Sequence, residues 1–215
     1  MLVSYHYIIL FIITTLYNQI IMKILGIDLA GKEENPTGLC VLNKEQISLK
    51  TIYRDKDIIR FVKDENPYLI AIDAPLSLPK GRCCLEKDCK CAVGGHLREA
   101  EREIRPYGRV LPLTFRGMKM LTLRGVSLEA ELRKDFLLIE THPRTNQKIL
   151  GFNNLKKDIS KIYQLPENAT EHELDALLAA ITGYLYLKGL YIELGDPDEG
   201  TIIIPKQISI ISRFL

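Results

Sequence analysis

Ile24-Leu-Gly-Ile-Asp28 is a short apolar run that ends on a carboxylate, and the pattern returns in Leu69-Ile-Ala-Ile-Asp73 and Phe136-Leu-Leu-Ile-Glu140. Continuous apolar runs of this length suit strands covered on both faces, as at the centre of a parallel sheet. In open α/β sheets the ligand crevice lies beyond the carboxyl ends of such strands. If the three strands are parallel neighbours, Asp28, Asp73 and Glu140 converge at one edge of the sheet. Like charges that close are unfavourable unless a proton or a cation compensates them. Hard oxygen ligands in that number favour Mg²⁺ or Mn²⁺. One acid closing a strand signals no more than a turn; three, each directly after an apolar run, point to a site.

Around these runs the patterning alternates. It predicts strands at Ile24–Asp28, Gly38–Leu42, Ile47–Tyr53, Tyr68–Asp73 and Phe136–Glu140, with a last one over Thr201–Ile204. Helices are expected at Asp55–Lys63, His96–Ile104, Met118–Arg133, Leu155–Tyr163 and Glu171–Lys188. The connection Asn43-Lys-Glu-Gln is short enough for a hairpin, so the fold class is α/β with an antiparallel beginning and parallel later strands. In the last helix, Thr170 and Glu173 form a capping box, and Leu174, Leu177, Leu178, Ile181 and Leu185 trace a buried stripe. Asp175 lies among these apolar positions and needs a partner. His172 stands one turn before it on the same side. An alternative role for Asp175, complementing the helix N-terminus, is already filled by Glu171 and Glu173.

These residues carry a resemblance. Gly26-Ile-Asp-Leu-Ala-Gly, Ala71-Ile-Asp-Ala-Pro-Leu, Ile139-Glu-Thr-His-Pro and His172-Glu-Leu-Asp-Ala-Leu-Leu-Ala-Ala resemble the motifs of the domain of unknown function 429 family, and Glu199-Gly-Thr-Ile-Ile-Ile-Pro is similar to its closing motif. The resemblance runs from about Lys23 to Pro205 and implies a ribonuclease H-like mixed sheet, three antiparallel strands followed by parallel ones, with helices on both faces. It further implies a predicted nuclease, with a metal site on Asp28, Asp73, Glu140 and Asp175. In such a site two metals would hydrolyse a phosphodiester bond, Asp28 bridging both ions, Asp73 or Glu140 holding one and Asp175 the other. His172 would orient water or pass a proton, against the plainer reading of a solvated helix residue.

Composition bounds the alternatives. The chain has 215 residues, 47% hydrophobic and 26% charged, which fits one soluble domain and excludes disordered and collagen-like classes. The net charge of +2 gives no argument for a nucleic-acid partner, DNA or RNA, so that argument rests on local clustering. Between Arg105 and Leu128 no acid occurs, while Arg105, Arg109, Arg116, Lys119 and Arg124 contribute positive charge with Tyr107 and Phe115 interleaved. Phosphate contact with base stacking and a solvated amphipathic segment are both open for this stretch.

Four of the five cysteines, Cys83, Cys84, Cys89 and Cys91, fall in an insertion at about 81–95, with His96 close behind. The cluster lacks paired C-x₂-C spacing and departs from the family pattern. Structural Zn²⁺, reduced thiols or a disulfide, and an iron–sulfur centre remain open. Residues 1–21 form a charge-free hydrophobic leader without the features of a secretory signal. The two readings are a start over-extended ahead of Met22 or a membrane anchor. On the first, residues 22–215 are one cytoplasmic domain. Two other functions compete: a non-catalytic binding module, which needs no four acids, and an actin-like phosphotransfer enzyme, for which the chain lacks a second lobe and a Gly-rich loop.

Overall fold

The computed structural model describes residues 22–44, 46–86, 89–90 and 93–207; the leader 1–21 and Cys91 lie outside them. Strands β1 (Lys23–Asp28), β2 (Thr37–Asn43) and β3 (Gln46–Ile52) come first. Helix α1 (Asp55–Glu65) leads into β4 (Leu69–Asp73). Then follow α2 (Glu99–Glu103), α3 (Arg116–Leu132), β5 (Leu137–Thr141), α4 (Pro143–Ile149) and α5 (Leu155–Ile159). The long helix α6 (Glu171–Leu187) precedes β6 (Tyr191–Leu194) and β7 (Ile202–Pro205). The strands form one seven-stranded sheet in the order β3-β2-β1-β4-β5-β7-β6. β1, β2 and β3 pair antiparallel, β1, β4, β5 and β7 run parallel, and β6 closes the far edge antiparallel to β7. Among the described residues no helix is long and apolar enough to cross a membrane.

Alternation along the strands divides the core into two layers. Ile24, Cys40, Leu69, Ala71 and Ile139 pack under α6 together with Phe152, Ile159 and Tyr163. Leu25, Ile27, Ile70, Ile72 and Leu138 face Ile58 and Val62 of α1 and Leu128 and Leu132 of α3. Helices therefore cover both faces. Burial holds the Cys40 thiol far above its ordinary pKa, and it behaves as a core side chain.

α6 approaches the sheet so closely that side chains are excluded at two points. A Cβ on Gly26 of β1 would stand 1.9 Å from the Ala176 carbonyl oxygen and 2.6 Å from the Ala180 nitrogen. One on Gly38 of β2 would stand 2.1 Å from the His172 carbonyl oxygen. Thr170 caps the helix by accepting from the Glu173 amide, and Thr51 of β3 donates to Glu173 Oε1 at 2.9 Å. Backbone contact and cap together fix the helix start over the ends of β1 and β2.

Two elements went unforeseen. α4 begins with Pro143 at its first position and His142 accepting from the Thr145 amide, a start signal present in the sequence. The four-residue β6 follows Gly189, whose φ is +70°. The helix expected at His96–Ile104 shortens to α2, because Arg98 keeps extended backbone with its own amide bonded to Glu101. The last strand shifts by one residue to include Pro205.

Gly26→Ala should destabilise the protein at the upper end of the overpacking range, about 3 kcal/mol, lowering Tm by roughly 6–12 °C for a chain of this size. Thermal unfolding checks this. An unchanged Tm would show that α6 is free to move off the sheet.

Candidate active site

Asp28 and Asp73 are direct partners across the parallel β1–β4 pair and point to the face covered by α6. From that helix Asp175, 6% exposed, lies within electrostatic reach of both Asp28 and Asp73. His172 sets its Nδ1 2.7 Å from Asp28 Oδ2, the ring donating to the carboxylate. Arg144, near the start of α4, brings a guanidinium nitrogen to 3.2 Å from Asp175 Oδ2.

The cluster is electrostatically strained. Burial pushes the Asp28 carboxyl up, and the hydrogen bond and charge of His172 pull it back. Asp73 is raised well above the usual carboxylate range by burial, then by the charges of Asp28, Asp175 and Glu140. Among the described residues it accepts no hydrogen bond. Asp175 is pushed up to about 6 by burial, with Arg144 countering. One guanidinium against three carboxylates leaves negative charge uncompensated, the situation a divalent cation relieves, and oxygen ligands on a rigid sheet edge suit Mg²⁺ or Mn²⁺. The three sets of oxygens are not drawn onto one point: among the described residues the trio of ligand atoms within 4.8 Å of one another is Cys83, Cys84 and Cys89.

Glu140 is a correction to the expected convergence. In the β4–β5 register it lies opposite Ile72, not Asp73, so its side chain turns to the other face. There the fully buried Arg98 grips both its oxygens, and the Leu76 amide donates to Oε2 at 2.9 Å. Glu101 takes the remaining side of the guanidinium. Burial raises the Glu140 carboxyl while the Arg98 charge and hydrogen bonds oppose the rise. Turned to the other face and held through both oxygens by Arg98, Glu140 leaves the ligand set.

No family model matches the chain, and no curated protein matches its sequence. Among solved structures it is similar to T. thermophilus RuvC in complex with a Holliday junction substrate, with a TM-score of 0.50 and 13% identity over 78% of this chain and 96% of that one. The fold is ribonuclease H-like. That likeness, together with the observed strand order, bears out the expected mixed sheet.

The ribonuclease H-like core carries the two other expected groups outside the carboxylate cluster. Cys83 is disulfide-bonded, while Cys84 and Cys89 are reduced and share a hydrogen bond. In this form the insertion cannot offer four thiolates. His96 stands apart, its Nδ1 2.9 Å from Thr114 Oγ1. In the basic stretch Arg105, Arg109 and Arg116 are exposed, as are Tyr107 and Phe115. Lys119 pairs with Glu86. Arg124 is a correction: it is buried, bonding Asp55 Oδ1 at 2.7 Å and the carbonyls of Ala30 and Tyr53 at 2.7 and 2.6 Å. Its guanidinium is turned inward, holding α3 to the β1 and β3 ends, and burial keeps it from a phosphate. The sequence reading missed Arg98 and Arg144, whose partners lie 42 and 31 residues away, beyond any local pattern.

All three cluster carboxyls bind protons more tightly in the folded than in the unfolded chain, where Asp titrates at about 3.9. Their protonation therefore favours the fold below that value, and stability falls as pH rises toward about 6 for Asp175. Urea unfolding of chelator-treated protein should show the midpoint falling between pH 4 and 6, more steeply than in Asp175→Asn. Parallel curves for the two proteins would contradict the strain.

Proposed function

We propose that the protein is a metal-dependent nuclease that hydrolyses phosphodiester bonds. The observation that carries this is Asp28 beside Asp73 at the carboxyl ends of adjacent parallel strands, with Asp175 and His172 facing them from α6. The ribonuclease H-like fold supports it, and the junction held by the RuvC neighbour makes branched DNA the first substrate to test.

On this reading Asp28, Asp73 and Asp175 hold Mg²⁺ or Mn²⁺, with Asp28 central because it adjoins both Asp73 and the His172 side of the cluster. The bound ions would supply an activated water and stabilise the leaving oxygen. Carboxylates spread more widely than a single coordination sphere suit ligands shared between two ions. His172, half exposed and tied to Asp28, is placed to orient a water or carry a proton between cluster and solvent. Arg105, Arg109, Arg116 and Lys119 supply phosphate contacts, with Tyr107 and Phe115 offering exposed rings to bases. Residues 22–215 act as one unit in this scheme.

Labelled single strand, duplex and four-way junction incubated with Mg²⁺ or Mn²⁺ test the proposal. Asp28→Asn, Asp73→Asn and Asp175→Asn should each reduce cleavage by about two orders of magnitude or more, since carboxylates acting as a unit are not additive. Arg116→Ala should weaken binding and flatten its salt dependence. Binding without metal-dependent cleavage of any of the three would favour the non-catalytic module instead.

For the insertion we propose that Cys83, once reduced, joins Cys84, Cys89 and Cys91 in holding a structural Zn²⁺, the sulfurs of the first three lying within 4.8 Å of one another. Metal analysis should find zinc in protein purified under reductant and lose it in Cys89→Ser. Zinc-free reduced protein would rule the structural zinc out.

A further inference from the structure

We infer that Arg144 is a substrate-phosphate contact that rests on Asp175 only while the acidic cluster holds no divalent cation. The inference builds on the nuclease reading and assigns one more residue to it.

The base of this side chain is fixed. Asn146, on the same short helix, is buried and donates to Thr141 Oγ1 of β5 at 2.7 Å and to Thr182 Oγ1 of α6 at 2.8 Å. Thr141 in turn donates to the Ile203 carbonyl of β7 at 3.0 Å. This network pins α4 to two strands and to the helix that carries Asp175. The arm itself is 62% exposed, and among the described residues its ion-pair partners are Asp175 at 3.2 Å and Glu171 at 3.9 Å. A rigid origin with a loosely held guanidinium is the construction of a group that changes partners.

Charge decides which partner it takes. Arg144 is the cation whose field reaches Asp28, Asp73 and Asp175 alike. It therefore does part of the work of a metal ion, with one charge and at the rim. An ion seated among the three carboxylates would take over their compensation and repel the guanidinium. The place open to it is a depression of about 360 Å³ whose polar lining includes Arg144, Lys156, Gln147 and Asn153 together with the acids Asp175 and Glu171. Its volume is at the lower end of small-ligand sites. Lys156 and Gln147 there already donate to the Glu167 and Phe152 carbonyls and Asn154 caps α5, so the guanidinium of Arg144 is the principal donor the depression offers a phosphate. Glu171 at the rim opposes an anion, which keeps the subsite dependent on Arg144. A guanidinium fork matches a phosphodiester geometrically in a way an ammonium does not. The larger depression, about 1070 Å³ along β3 and α1, shares no residue with the cluster.

Two measurements on Arg144→Gln, with Arg144→Lys beside it, test this. Without nucleic acid, Mn²⁺ titrated calorimetrically should bind Arg144→Gln several-fold more tightly than wild type, because its competitor is gone. In steady-state cleavage of the four-way junction, the KM of Arg144→Gln should rise roughly tenfold to a hundredfold, the range of one hydrogen bond to a charged group, and Arg144→Lys should fall between. Mn²⁺ affinity that is unchanged or weaker in Arg144→Gln, or an unchanged KM, overturns the assignment. Wild type that binds no Mn²⁺ overturns the nuclease reading itself, so the two failures are distinguishable.

Discussion

The backbone contact between α6 and β1 is the constraint on which the rest of the structure depends. A helix resting on a sheet through ordinary side chains keeps its backbone several ångströms further away. Here Gly26 and Gly38 remove the side chains on the sheet side, and Ala176, Ala179 and Ala180 keep those on the helix small. The gain is reach: Asp and His are short side chains, and only at this separation do Asp175 and His172 meet the end of β1. Capping by Thr170 then sets the helix phase, so that both residues arrive on the same side. The same glycine that opens the site thus belongs to the motif Gly26-Ile-Asp28 for steric reasons, before any chemistry is considered.

Much of this was legible in the sequence. The apolar runs gave β1, β4 and β5 to within a residue, and the capping box placed the start of α6 correctly. Asp28 and Asp73 were readable because each closes a continuous apolar run, and Asp175 because it lies among the apolar positions of an amphipathic helix. Register was not readable. Glu140 ends an apolar run just as Asp73 does, yet β5 continues one residue further, and a one-residue offset sends a strand side chain to the opposite face. Nothing within a single strand encodes its offset against a neighbour. Arg124 failed for a related reason: a guanidinium turned inward to three carbonyls and the Asp55 carboxylate forms a tertiary feature that a count of positive charges cannot see.

Glu140 and the aspartates show how one sheet edge assigns opposite fates to the same functional group. On the α1 and α3 side of the sheet, Glu140 is met by the whole fork of Arg98 and by an amide, and Glu101 completes the guanidinium. Removing Arg98 would leave two buried carboxylates without a counter-charge, a loss of roughly 3–5 kcal/mol. That ion pair holds the chain entering α2 against β5 and so anchors the far end of the cysteine-bearing insertion. On the α6 side the aspartates have one half-engaged arginine and one histidine between them. A carboxylate gripped through both oxygens by an arginine cannot take a metal without first losing its partners. A carboxylate short of partners gains from one. The distribution of hydrogen-bond donors across the two faces, more than the number of acids at the edge, therefore separates the structural carboxylate from those free to do chemistry.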